Sequence, residues 1–502
     1  MLETLAAVAA LLSAIAYVAL GARFGRHTSA LRDQIPIELG SMARVKNSSE
    51  FSASTVAMTI SLATVVLAFF ELAPYFGVWL FWPVITTGLG LLATRIAARR
   101  IWSKMAAYRP RRPTLHEFLG VEYGSRFLAL VAALCTSAGF LGAYAVELTV
   151  GSRFLGALVP GFPAPLFVAA LATVGLTYTA LGGFRVVIVT DRIQMWSIWT
   201  MLVALAGYYA FHFCDAATRA AALQQMPNNV FSLASREGLW AFLVGIFVIN
   251  VPTFLADMSV WQRIAGSQDP RVVSQGLWRS VLGSLSSWSM LVVLACLTAA
   301  LTRIDSHQNP LATLLHQLDS MGGLLLHGVI FFVVLGLYGA MFSTASTQLI
   351  AVAHTLQRDV LVESPTTGGF RHSIAASRSL VVGTALVAMA VVWLLTAAGF
   401  SIADLVFAIY GAQLGLFPAV LVALLLPRER LARLGRWTAA AITAGFVSGW
   451  SAAILGKFTD RGTLVFLAPA VSLAASSLIV AGAVLVTSVI SKNRLGGRAN
   501  PA

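Results

Sequence analysis

The chain has 502 residues, of which 58% are hydrophobic and only 11% charged, with a mean hydropathy of +0.82 and a formal net charge of +14. A soluble globular chain would be about one quarter charged, so that class is excluded and an all-α integral membrane protein is expected. Its basic excess reads as membrane topology rather than as a nucleic-acid footprint, because the Lys and Arg residues alternate with the apolar runs.

Runs of roughly 20 apolar residues, the length that crosses a bilayer, fall near 3–22, 51–73, 78–98, 127–150, 163–184, 191–213, 239–261, 280–301, 324–350, 373–398, 401–427, 437–457 and 463–490. These thirteen expected spans make the chain one transmembrane domain, 1–502, with a core over about 41–427. Span 1 has only Glu3 before it and Arg23 and Arg26 after it. That is the wrong charge order for a signal peptide, so a retained span with the amino terminus outside is expected. All but six of the 34 Lys and Arg residues then face the cytoplasm, the six being Arg153, Arg219, Arg236, Arg303, Lys457 and Arg461. A multi-pass protein of the plasma membrane, with a cytoplasmic carboxyl terminus, follows from this pattern.

Between spans 3 and 4 the loop "IAARRIWSKMAAYRPRRPTLHEFLGVEYGSR" ends in an amphipathic piece, where Thr114 and Glu117 have capping-box spacing. Glu71 near the outer end of span 2 reads as a vestibule residue. Tyr144 and Glu147, in "GAYAVELTVG", are candidate substrate contacts in the outer half of span 4, and Glu147 could instead carry a proton. Asp191 and Gln194 open span 6 with the spacing of a second capping box. The stretches 214–238 and 302–323 are long enough to cover an external entrance. Span 7, "LWAFLVGIFVINVPTFLADMSVWQR", carries Asn250 and Pro252 near its middle, where proline removes a backbone donor and either breaks or kinks the helix. Asp257 lies further along the same span, where a buried ion must pair or protonate. Span 9 gathers Ser343, Thr344, Ser346 and Thr347. Asp404 reads as a cap beside Ser401. Cys135, Cys214 and Cys296 share no CxxC or His-flanked spacing, so neither a disulfide framework nor a metal site is indicated. No GxxxxGK[ST] loop occurs, so an ion gradient is the expected source of energy.

The segments "TLHEFLGVEYGSR", "LGGFRVVIVTDRIQMW", "FLADMSVWQRIAGSQD" and "AMFSTAS", in this order and with this topology, resemble the sodium/solute symporter family over about residues 41–427. The resemblance implies an inverted repeat of two five-helix units, spans 2–6 and 7–11. It also implies sodium-coupled symport of a small organic solute with no enzymatic step. Implied sodium ligands are the hydroxyls of Ser343 and Thr344 and the backbone carbonyls of Ala340, Thr64 and Leu67, with Asp191 on the inner exit path. Residues three and four apart share a helix face, so Ala340, Ser343 and Thr344 can converge. Oxygen ligands without a carboxylate suit a monovalent hard cation. Solute contacts are expected from Asn250, Phe254, Asp257 and Met258, although they match neither the proline-transporting nor the sugar-transporting pattern. A transporter-like solute sensor and a proton-coupled carrier are the alternative readings, and the oligomeric state is not legible.

Overall fold

The computed structural model describes residues 1–30, 45–108, 112–159, 161, 163–214, 220, 230–234, 237–301, 309–360, 374–397 and 402–496. Arg219, Arg236, Arg303, Ser401, the Asp404 side chain and most of the expected entrance cover at 214–238 lie outside them. Of the second expected cover, residues from Pro310 onward form a helix.

In chain order the helices are α1 (Leu2–Ala30), α2 (Ser48–Thr59), α3 (Ala68–Phe76), α4 (Phe81–Ala106), α5 (Leu115–Glu122), α6 (Arg126–Leu158) and α7 (Ala164–Cys214). They continue as α8 (Leu239–Ala256), α9 (Met258–Gly266), α10 (Pro270–Leu301), α11 (Pro310–Met321) and α12 (Leu324–Thr355). The last are α13 (Ile374–Ala397), α14 (Ile402–Gln413), α15 (Phe417–Leu425), α16 (Arg428–Leu431), α17 (Gly435–Phe458) and α18 (Gly462–Gly496). No strand occurs among the described residues beyond an isolated bridge between Val45 and Ser267.

Each expected span overlaps helix, and ten helical stretches among the described residues are long and apolar enough to cross a membrane. Two of these, Leu62–Ala106 and Leu166–Cys214, have 45 and 49 residues. Straight, each would be about 70 Å long, more than twice the hydrocarbon thickness. The first bends at the turn Gly77–Leu80. The second bends at Gly183, whose φ of 59° and ψ of −155° are open to glycine and costly for other residues. Helix resumes at once after Gly183, so 185–190 is not the loop expected between spans 5 and 6, and Asp191 lies inside a helix rather than capping one.

The core is built around α12, which packs on α7, α6 and α1, while α4 lies between α8 and α10. α17 and α18 pack on each other and against α14 and α8 at the periphery. Span 11 is divided between α14 and α15 by the short turn Leu414–Leu416, and spans 2 and 7 are broken by non-helical backbone. Span 2 is α2, a non-helical link at Ile60 and Ser61, a π-helical turn Leu62–Leu67, and α3. Span 7 is α8 and α9, joined through Asp257.

Candidate functional site

Breaking a helix at membrane depth exposes backbone donors that have no water to meet them, so each break needs capping side chains. At the first break Ser61 is extended (φ −66°, ψ 141°), and its Oγ accepts the Thr64 N–H at 2.9 Å. The same hydroxyl donates to Glu147 of α6, whose other oxygen accepts the Ala63 N–H at 3.4 Å. At the second break Asp257 is extended (φ −82°, ψ 116°). Its Oδ1 accepts the N–H groups of Ser259 and Val260 at 2.7 and 3.0 Å and the Ser259 hydroxyl at 2.5 Å. The break of span 7 therefore falls at Asp257 rather than at Asn250 and Pro252. Pro252 stays inside α8, and Asn250 donates to the Pro83 carbonyl at 3.2 Å and the Thr86 hydroxyl at 3.0 Å, tying α8 to α4.

Beside the first break, α12 presents the expected hydroxyls. Ser343 Oγ lies 3.0 Å from the Ala57 carbonyl of α2 and 2.9 Å from the Ala340 carbonyl of its own helix. Thr344 Oγ1 lies 3.5 Å from the Met58 carbonyl. Ser343 is fully buried and Thr344 nearly so. Five oxygens from two helices thus gather with no carboxylate among them. The carbonyl half departs from the expectation of Thr64 and Leu67: the Leu67 carbonyl accepts the Asn309 side-chain amide at 3.2 Å, and Thr64 lies on the wall of the adjoining cavity. Unwinding occurs at Ile60 and Ser61, where Glu147 and Ser61 can cap, so the carbonyls that meet α12, those of Ala57 and Met58, lie about two turns earlier than expected.

That cavity has a volume of about 140 Å3, enough for on the order of ten waters or one small solute. It lies between the two breaks; Asn250, Phe254 and Asp257, candidate solute contacts, line it together with Thr64 and Thr344, candidate sodium ligands. Three candidates do not. Met258 is buried, with its sulfur accepting the Thr355 hydroxyl at 3.1 Å. Tyr144 is buried, and its hydroxyl has no partner among the described residues. Glu147 is buried against the first break rather than open to the cavity. Wall residues that the sequence reading missed include Phe69, Trp288, Gln348, Tyr410 and Gln413. Gln348 had a signal, since it stands four residues after Thr344 and shares its helix face.

Below the cavity Arg263 of α9 is fully buried and bound on several sides. Its Nη2 lies 3.3 Å from Asp191 of α7 and 3.1 Å from the Thr347 hydroxyl of α12, its Nε donates to Ser54 of α2 at 2.9 Å, and its Nη1 donates to the Ser259 carbonyl at 3.1 Å. Ser54 also donates to Asp191. Thr347 is thus part of this network, whereas Ser346 donates to the Ser343 carbonyl at 3.4 Å. A second polar layer lies further along. The Asp359 carboxylate accepts the Thr114 hydroxyl at 2.7 Å and pairs with His116 at 2.8 Å. Thr114 and Glu117 form the expected capping box, and Arg358 reaches Glu117 at 3.3 Å.

No family model matches the chain. A stretch of 115 residues is 31% identical to the sodium/pantothenate symporter of Escherichia coli (strain K12), covering 22% of each protein, so the chain matches about a fifth of the length of that curated relative. Over 96% of its length the structure superposes on 98% of a sodium-coupled sialic acid symporter in a substrate-bound outward-open state, with a TM-score of 0.71 and 13% identity. It also matches Mhp1, a nucleobase-cation-symport-1 family transporter, over 88% of this chain and 92% of that one, with a TM-score of 0.51 and 14% identity. The chain therefore has the inverted-repeat fold of these multi-pass membrane transporters, and the 115-residue match agrees with the resemblance read from the sequence.

Proposed function

We propose that the protein is a secondary active transporter that carries a small organic solute together with sodium by alternating access, and that it performs no chemical conversion. The observation that carries this reading is the meeting of the Ser343 and Thr344 hydroxyls with the carbonyls of Ala57, Met58 and Ala340, next to a solute-sized cavity. Neutral oxygens hold a monovalent hard cation and can release it again. Sodium at this point would draw α2 against α12 and hold the break beside the cavity in one arrangement, so that ion and solute favour the same conformation. Asp191 would meet the ion on its way inward, where Arg263 now occupies it.

In the plasma membrane, with the amino terminus outside, one positive charge moving inward through 100 mV is worth about 2.3 kcal/mol. That is roughly a fiftyfold solute concentration ratio before any sodium gradient is counted. The test is radiotracer uptake by the purified chain in liposomes under an imposed sodium gradient, across amino acids, carboxylates, sugars and ammonium compounds. Uptake of one class that collapses when potassium replaces sodium is expected. Uptake driven equally by a proton gradient alone would replace this reading with proton coupling.

A further inference from the structure

Among the described residues, Glu147, Asp191 and Arg263 are fully buried at membrane depth, and Asp257 lines the cavity between the two broken helices. A buried ion persists only beside a counter-charge or after taking or losing a proton. Arg263 meets Asp191 at 3.3 Å. Glu147 and Asp257 are then left with hydrogen bonds from Ser61, Ala63, Ser259 and Val260, none of them a cationic side chain. No carboxylate stands among the oxygens of the proposed sodium site, so a positive charge brought by the solute can balance Asp257, which otherwise feels Arg263 without a direct bond.

The cavity says where that charge would sit. Among its described lining residues Asp257 is the only ionisable carboxylate, and no Lys, Arg or His is present. All three cap bonds of Asp257 go to Oδ1, which leaves Oδ2 for a ligand. The same wall carries the rings of Phe69, Phe254, Trp288 and Tyr410, with Phe69 and Trp288 edge to face at 5.5 Å. Aromatic faces attract cations, and an anion entering beside Asp257 would find repulsion and no basic partner.

We infer that the transported solute is a small organic cation, whose ammonium group is received between Asp257 Oδ2 and this aromatic wall. The inference rests on the proposed symport for the direction of transport and on the cavity for the chemistry. It sets this chain apart from relatives named for pantothenate and sialic acid, both carboxylates.

The experiment uses the purified full chain in sodium and, separately, in potassium. Binding is measured for tetramethylammonium, choline, ethanolamine and putrescine, for 3,3-dimethylbutanol as the uncharged counterpart of choline, and for pantothenate and N-acetylneuraminate. At least one ammonium compound is expected to bind saturably, with choline at least tenfold tighter than 3,3-dimethylbutanol if choline is that ligand. Asp257→Asn keeps the cap through its amide oxygen and should weaken the bound cation at least tenfold. Saturable binding of a carboxylate with none by the four cations overturns the inference, as does equal binding of choline and its uncharged counterpart, or no binding by any ammonium compound. The wild-type comparison of charged and uncharged ligands stands even where the variant is unstable. The two sodium arms separate the readings: cation binding that ignores sodium overturns symport and leaves the cationic solute standing, whereas sodium-dependent carboxylate binding does the reverse.

Discussion

Ser343 and Thr344 are the residues on which sodium coupling turns. Thr344→Ala or Ser343→Ala should raise the sodium concentration for half-maximal transport by about ten- to a hundredfold, the equivalent of losing a charge-assisted contact of about 1.5–3 kcal/mol. Ser346→Ala should move it far less, because its hydroxyl points to the Ser343 carbonyl. Arg263 makes a different kind of contribution. Arg263→Met leaves Asp191 buried without its cation and should lower stability by about 3–5 kcal/mol, while adding Asp191→Asn should recover much of that loss. Thermal unfolding of the detergent-solubilised protein measures both. The hydroxyls were legible because spacing on one helix is local information. Their carbonyl partners were not, because the position of the break depends on Glu147, 86 residues beyond Ser61. The Arg263 and Asp191 pair was hidden for the same reason, being 72 residues apart and on different helices.

The broken helices show how proline and glycine can mislead. Pro252 is the strongest local disruptor of span 7, yet α8 runs through it and ends at Ala256, because Asp257 supplies a carboxylate that satisfies the next helix's first donors. A cap of this kind is worth about 1 kcal/mol, and it fixes a boundary that propensity alone left open. Span 2 has no glycine near Val65 and Val66, where β-branched side chains resist unusual backbone angles. The chain meets that constraint with a π-helical turn there and an extended Ser61 before it. Contact between helices gives the next prediction. α4 crosses α8 at Gly90, where an added Cβ would collide with the Asn250 carbonyl. Gly90→Leu should therefore push α8 outward, at about 1–3 kcal/mol of overpacking. It should also weaken solute affinity, since Asn250 and Phe254 line the cavity from that helix. An unchanged affinity together with unchanged stability would show that this crossing does not set the cavity wall.

For the molecule as a whole, the alternation of basic residues predicts sidedness. With the three native cysteines replaced, single cysteines at Lys46 and Arg436 should react only with reagent from the cytoplasmic side, and one at Arg461 only from outside. All three positions are exposed. Labelling of position 436 in intact cells by an impermeant reagent would invert the orientation. Class and helical architecture were legible because each rests on composition and on runs long enough to cross a bilayer, whereas the inverted repeat was implied only by the family resemblance. The turn at Gly183 was not legible, since one residue there does what a loop was expected to do. The central claim is that sodium binds where α2 and α12 meet, and it can be tested without knowing the solute. Equilibrium binding of radioactive sodium to the purified full chain should be saturable, displaced by unlabelled sodium but not by potassium, and at least tenfold weaker in Thr344→Ala and Ser343→Ala. Absence of saturable binding in the wild type, or unchanged binding in both variants, would contradict it.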